Sequence, residues 1–307
     1  MSINYGKPIS IRGLQLQITD ALLIGIIILF SLLTILYHSR ITGWAVILLL
    51  NILVISIYLI SILWSQKMSP GIGFFLVRTT SVQLMFFYLF SIVQRMQLVF
   101  HSGWKDQLVL DLEYFIFGSQ PTLWLQHFIN PGLTEWFMFS YVMYIPIYPI
   151  LAAIIYFKFD KIQLENYFFV LGLTNVICFL GFIIFPVASP MYMIADLFEI
   201  PLKGYLFTAI GEFIRSHLHT IGGSIPSPHA AIATIMLLMA FRYHRGFFIT
   251  LTPIIFSLYI STFYCRYHYP TDTVIGILTA ILVFRASPYL TKFWNNLASR
   301  FKVVKTK

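Results

Sequence analysis

Apolar residues in this chain come in long runs and not in alternation. About eight stretches, near 21–37, 44–64, 74–93, 134–156, 167–185, 226–241, 246–263 and 270–286, approach the roughly 20 apolar residues a helix needs to cross a bilayer. Runs of that length, punctuated by polar turns, predict an all-α polytopic membrane bundle of about eight transmembrane helices. Two longer, more polar segments interrupt the pattern. From Gln94 to Leu133, Asp106, Asp111 and Glu113 alternate with Trp104, Phe115, Phe117 and Trp124, which predicts an amphipathic helix along the interface, with Asp111 and Glu113 on its polar face. The second, Pro186 to Ile225, holds Asp196, Glu199, Lys203, Glu212, Arg215, His217 and His219.

Composition agrees with the pattern. Hydrophobic residues make up 59% and charged residues 10%, against about 25% charged in soluble domains; mean hydropathy is +0.83. The net charge of +9 does not indicate a nucleic-acid partner, because the cations flank apolar runs, where topology and anionic headgroups account for them. The first twenty residues are expected to hold no removable signal peptide. Cys178 and Cys265 offer no metal-ligand spacing and no disulfide framework.

Charge also predicts orientation. With eight spans the termini share a side, which collects Lys7, Arg12, Lys67, Lys158, Lys161, Arg242, Arg245, Arg285 and the cations of the C-terminal tail. The other side holds Arg40, Arg95, Lys105, Lys203, Arg215 and Arg266; Arg78, near the edge of the third run, is left out. The excess places the termini in the cytosol. The sixth and eighth helices then begin at the outer face, whether periplasmic, extracellular or lumenal.

Those two helices open on Ser227-Pro228-His229 and on Arg266-Tyr267-His268-Tyr269-Pro270-Thr271-Asp272. Proline is favoured in the first helical turn, Ser227 is a good N-cap, and Tyr269 before Pro270 is pushed out of helix. Two helix N-termini, with free N–H groups and partial positive charge, then face one point, which is an anion site suited to phosphate. Thirteen residues separate His229 from Arg242 and Asp272 from Arg285, about 20 Å of helix. If those arginines mark the cytosolic boundary, the site lies a little below the outer surface.

Ionisable residues at membrane depth are costly, so two His, an Arg and an Asp at one level point to function before structure. An imidazole held in one tautomer by a carboxylate is a nucleophile, which fits His268 with Asp272. A protonated imidazole serves as general acid, which fits His229. Arg266 offers a planar guanidinium to phosphate oxygens, and Ser227 a hydroxyl or backbone donor. The expected course is a phosphohistidine intermediate resolved by water or an alcohol. His217, His219, His229 and His268 are not expected to hold a metal, since no Cys or carboxylate spacing completes a set. No cofactor is expected.

Ser-x-His opening one helix and His-Tyr-x-x-Asp, followed by Gly276, opening the next but one, resemble the type-2 phosphatidic acid phosphatase superfamily. Ser261-Thr262-Phe263-Tyr264 leading to Arg266-Tyr267-His268-Tyr269, and Leu110-Asp111 to Phe117-Gly118 with Pro121-Thr122, are similar to the branch that contains inositol phosphorylceramide synthases. The resemblance spans about residues 72 to 288. It implies a six-helix core behind a two-helix extension at 1–71, with a basic tail at 289–307. It also implies His268 as nucleophile, Asp272 as its orienting group, His229 as acid and no metal. The partners implied are a membrane lipid phosphate and, for a transferase, an alcohol such as inositol. The chain departs from the superfamily in having Thr262 six residues before His268, where Arg is usual, and Met191 where the branch often has Arg. Those missing cations keep open a different reading, a non-catalytic relative acting in lipid transport or as a membrane scaffold.

Overall fold

The structure is a computed structural model that describes residues 6–11, 13–218 and 221–304. A short antiparallel hairpin, β1 (Ile9–Ile11) and β2 (Leu14–Leu16), pairs Ile9 with Leu16. Helices follow in the order α1 (Ile18–Leu36), α2 (Trp44–Lys67), α3 (Ile72–Gln94), α4 (Asp106–Phe117), α5 (Pro121–Trp124) and α6 (Pro131–Lys158). They continue with α7 (Lys161–Ile184), α8 (Pro190–Met193), α9 (Leu206–Leu218), α10 (Pro228–Tyr243), α11 (Arg245–Tyr264) and α12 (Pro270–Val304). The fold is an all-helical membrane bundle.

Among the described residues seven helices are long and apolar enough to cross a membrane: α1, α2, α3, α6, α7, α11 and the Pro270–Arg300 part of α12. The protein is therefore an integral membrane protein. The eighth expected span is α10, whose 16 residues make about 24 Å at 1.5 Å per residue, less than the roughly 30 Å hydrocarbon core. Its apolar character comes from core packing: Ala230, Ala231, Ala233, Ile235, Met236, Met239 and Ala240 are all buried. On α1, by contrast, Ile28, Leu29, Leu32, Ile35 and Leu36 are exposed, as a face toward lipid requires. Helix α12 runs well past the apolar run at 270–286, so the segment from residue 289 continues it as helix through Lys292 and Arg300.

The amphipathic reading of α4 is correct in period and for Asp111, and wrong for Glu113. Asp106 and Glu113 are fully buried, while Asp111, Leu108, Leu112, Phe115 and Ile116 are exposed. Seven residues are two helical turns, so the two buried acids share one face of α4 with Val109 and Leu110.

The chain forms two compact units. One comprises Met1–Val99, Pro149–Val176 and Leu282–Lys307; the other comprises Phe100–Tyr148 and Ile177–Ile281. In the first unit Arg78 of α3, left aside on sequence, is buried between two acids. Its guanidinium lies 2.7 Å from Asp20 of α1 and meets Glu165 of α7 through two hydrogen bonds of 2.6 and 2.7 Å. Tyr58 of α2 donates to Asp20 at 2.7 Å and accepts from Arg78 at 3.2 Å. Four helices thus meet on one ionic network inside an apolar bundle. In the second unit Val109, Leu110, Val187, Ile194, Ile225 and Tyr269 form one buried cluster, and Phe137, Met138, Tyr264, Cys265 and Tyr267 another. The two clusters support the segments on either side of His268.

Candidate active site

Both histidines stand at helix starts, as the proline positions predict. Ser227 is the N-cap of α10, its hydroxyl accepting from the Ala230 N–H at 3.4 Å, with Pro228 first in the helix. The Ser227 N–H also donates to the Asp272 carbonyl at 3.1 Å, which joins the start of α10 to the first turn of α12. That approach needs a glycine at 276: a Cβ there would lie 2.5 Å from the Ser227 carbonyl oxygen and 3.2 Å from the Ala230 Cβ. His229 and His268 are thereby set at a fixed separation.

The turn carrying His268 is closed by Thr262. Its carbonyl accepts from the N–H groups of both Tyr267 and His268 at 2.9 Å, and its hydroxyl bonds Thr273 of α12 at 2.7 Å. Position 262 thus supplies a buried hydroxyl that ties α11 to α12. Arg266, at φ 69°, and Ser189, at φ 108°, are the two described non-glycine residues at positive φ. They flank one contact, since the Met191 N–H donates to the Arg266 carbonyl at 3.1 Å. Non-glycine residues adopt such backbone only where the surroundings over-determine it, and they concentrate at functional sites.

The imidazoles meet directly, with Nδ1 of His229 3.2 Å from Nε2 of His268. On the far side of His268, Nδ1 lies 3.4 Å from Oδ2 of Asp272, within ion-pair range but beyond good hydrogen-bond geometry. Oδ2 is held by the Tyr269 N–H at 2.9 Å. On the far side of His229, Nε2 lies 3.0 Å from the Tyr141 hydroxyl of α6. Tyr141 also packs its ring against His229 at 4.7 Å and stacks on Tyr267 at 4.6 Å; Tyr144 flanks His229 at 5.2 Å. One donor order runs through the row, its last contact, with Asp272, being electrostatic. Tyr141 donates to His229, His229 donates through Nδ1–H to Nε2 of His268, and the His268 Nδ1–H faces Asp272. That order leaves the Nε2 lone pair of His268 as the nucleophilic one.

His268 is 3% exposed, and burial pushes its pKa down to about 3, against a smaller upward pull from the Ser224 backbone. The free imidazole is therefore neutral across the physiological range and nucleophilic without first losing a proton. Several buried side-chain atoms of this unit, Oε2 of Glu113, Oγ of Ser189 and Ser224, and Oδ1 of Asp272, make no hydrogen bond. An enclosure with spare donors and acceptors has capacity for a polar guest.

Three of the five residues singled out on sequence, His229, His268 and Asp272, thus form one row, and Ser227 braces it. Arg266 is turned elsewhere, its guanidinium donating to the Ile200 carbonyl and lying 4.1 Å from the Phe198 ring. Arg215 pairs with Glu212 at 2.6 Å, Lys203 is exposed, and His217 bonds Ser216 and the Phe213 carbonyl. His219 lies outside the described residues. No group of three or more His, Cys, Asp or Glu able to hold a metal occurs among the described residues.

Sequence reading did not find Tyr141, Asp106, Glu113 or Tyr269. Asp106, at the start of α4, accepts from the N–H groups of Ala188 and Ser189 at 2.7 and 3.0 Å and from the Tyr269 hydroxyl at 3.0 Å. Glu113 accepts from both the N–H and the hydroxyl of Thr271 at 2.9 Å. The seven-residue spacing of these acids was the available signal. Tyr141 gave none, being one aromatic among many in an apolar run.

A family model described as the PAP2 superfamily matches residues 109–286, more than half of the chain. No curated protein and no solved structure matches it.

Proposed function

The chain belongs to the PAP2 superfamily, the type-2 phosphatidic acid phosphatases, and from that premise we propose that it cleaves a lipid phosphoester through a phosphohistidine on His268. The observation that carries the proposal is the 3.2 Å approach of the His229 and His268 imidazoles, backed by Asp272 at 3.4 Å. A phosphoryl group entering between the rings takes over both facing nitrogens. Nε2 of His268 attacks phosphorus, so a P–N bond forms as the bond to the leaving oxygen breaks. Nδ1–H of His229 delivers the proton to that oxygen, an acid contribution of typically 10²–10⁴-fold. Asp272 balances the positive charge that grows on His268. In the second half-reaction His229, now a base, takes a proton from water or an alcohol as its oxygen displaces His268 from phosphorus.

The Ser227–Asp272 backbone bond brings the starts of α10 and α12 together, and their positive dipole ends favour a phosphate beside them. Arg266 would reach the phosphate only by leaving the Ile200 carbonyl, and Ser227 acts through its backbone and cap. The excess of cations on the side of the termini supports a site toward the outer face, and the 16-residue length of α10 supports a site sunk below that surface, level with lipid phosphates. The resolving group is water for a phosphatase and an alcohol, such as inositol, for a transferase.

The test is release of phosphate from a panel of lipid phosphates and pyrophosphates by the purified full chain in detergent with EDTA, with and without myo-inositol and ceramide. Release that persists in EDTA is expected, and an inositol-containing product would select transfer over hydrolysis. Inertness toward every lipid, with no such product, would favour instead the non-catalytic relative, for which the engaged Arg266 is the supporting observation.

A further inference from the structure

Helix α4 presents two buried carboxylates to the segment that bears the catalytic pair, and they are not equivalent. Asp106 is saturated, since Ala188, Ser189 and Tyr269 together supply both of its oxygens. Glu113 is half used. Its Oε1 takes the N–H and hydroxyl of Thr271, the neighbour of Asp272, and its Oε2 is buried without a hydrogen-bond partner. Asp272 mirrors it, with Oδ2 occupied by the Tyr269 N–H and Oδ1 buried and bare. Two electrostatically interacting acids, each with one bare buried oxygen, resemble the carboxyl pairs in which a single proton satisfies both.

Resting on the phosphohistidine reading, we propose that Glu113 is a positioning residue that holds a proton on Oε2 and donates it toward Oδ1 of Asp272. The proton keeps Asp272 the anionic member of the pair and fixes its orientation toward Nδ1 of His268. The charged or titratable groups facing Glu113 are Asp272 and Tyr269, the latter spanning to Asp106 on the same helix; His268 lies beyond Asp272, and Asp111 is on the exposed side of α4. No cation among the described groups acting on Glu113 offsets the two acids. Burial above all, with the Asp272 charge adding to it, raises the Glu113 pKa to about 7, against the pull of the Thr271 hydrogen bonds.

The sign follows from which form works. Below that value Glu113 is neutral and donates. Above it two carboxylates face each other in a buried site, and Asp272 loses its hold on His268. Wild-type turnover should therefore decline as pH rises through about 7. Glu113→Gln keeps an acceptor for Thr271 and an amide donor for Asp272 at every pH, so its turnover should lose the alkaline decline. The effect belongs in kcat and not in KM, because Glu113 acts through Asp272. Glu113→Ala should lower kcat at least about tenfold at pH 6, where the wild type makes the bond, the loss of one charge-assisted bond.

An infrared measurement does not depend on activity. The carbonyl stretch of a protonated carboxylic acid should fade in the wild-type full chain between pH 6 and 8 and be absent in Glu113→Gln. A band that does not change over that range, or a Gln variant that keeps the wild-type alkaline decline, would overturn the shared proton. Loss of the phosphatase reading alone would leave the infrared titration intact, so the two failures are distinguishable.

Discussion

His268→Ala is expected to lower phosphate release from the best lipid substrate by at least about a thousandfold, on the scale seen when a nucleophile is removed from a unit that acts as a whole. The backbone of residue 268 bonds the Thr262 carbonyl, and alanine keeps that bond, so the variant should fold and span the membrane as the wild type does. What disappears is the Nε2 lone pair 3.2 Å from His229. Without it no covalent intermediate forms, and direct attack by water would have to proceed with only the dipole ends of α10 and α12 and the His229 acid. Combining His268→Ala with His229→Ala should cost little more than the first change alone, because the acid has no leaving group to protonate once the attack is gone. Activity within tenfold of wild type in the single variant would place the nucleophile elsewhere.

The largest effect on stability is expected at Arg78. Replacing it by Met removes the one cation that touches both Asp20 and Glu165 in the ionic network of the first unit. Two buried carboxylates would face each other beside the Tyr58 hydroxyl. Breaking a buried pair by removing one partner typically costs about 3–5 kcal/mol, which corresponds to a thermal midpoint lower by roughly 10 °C in detergent. Arg78→Met combined with Asp20→Asn and Glu165→Gln removes the stranded charges and should restore most of the loss, since the three side chains form one network and their changes are not additive. A midpoint unchanged by Arg78→Met alone would show the network to be stabilising nothing.

What the sequence disclosed was the local grammar. Proline in a first turn, serine before it, histidine at the opening and Asp272 four residues after His268 are rules about one helix end at a time, so the row His229, His268, Asp272 could be read without tertiary knowledge. The bundle followed equally from run length. Misreadings arose where burial decides and only tertiary partners decide burial. The apolar run at α10 reads as a lipid-facing span, yet most of its 16 residues are buried against the core. Asp111 and Glu113 of α4 look like a polar face, yet Glu113 is consumed by the N–H and hydroxyl of Thr271. Arg78 looks like an edge cation until α1 and α7 bring Asp20 and Glu165 to it. Tyr141 is a partner of His229 that no periodicity distinguishes from the other tyrosines of α6.

The most direct test of the central claim is to trap the intermediate. The full chain in detergent with EDTA is incubated with a lipid phosphate labelled at phosphorus, denatured in alkali within the first turnovers, and the protein is examined for bound label. The phosphohistidine account predicts label on His268 that survives alkali and is released by acid, and none on His268→Ala. Phosphate release proceeding at full rate with no label ever found on His268 would contradict it.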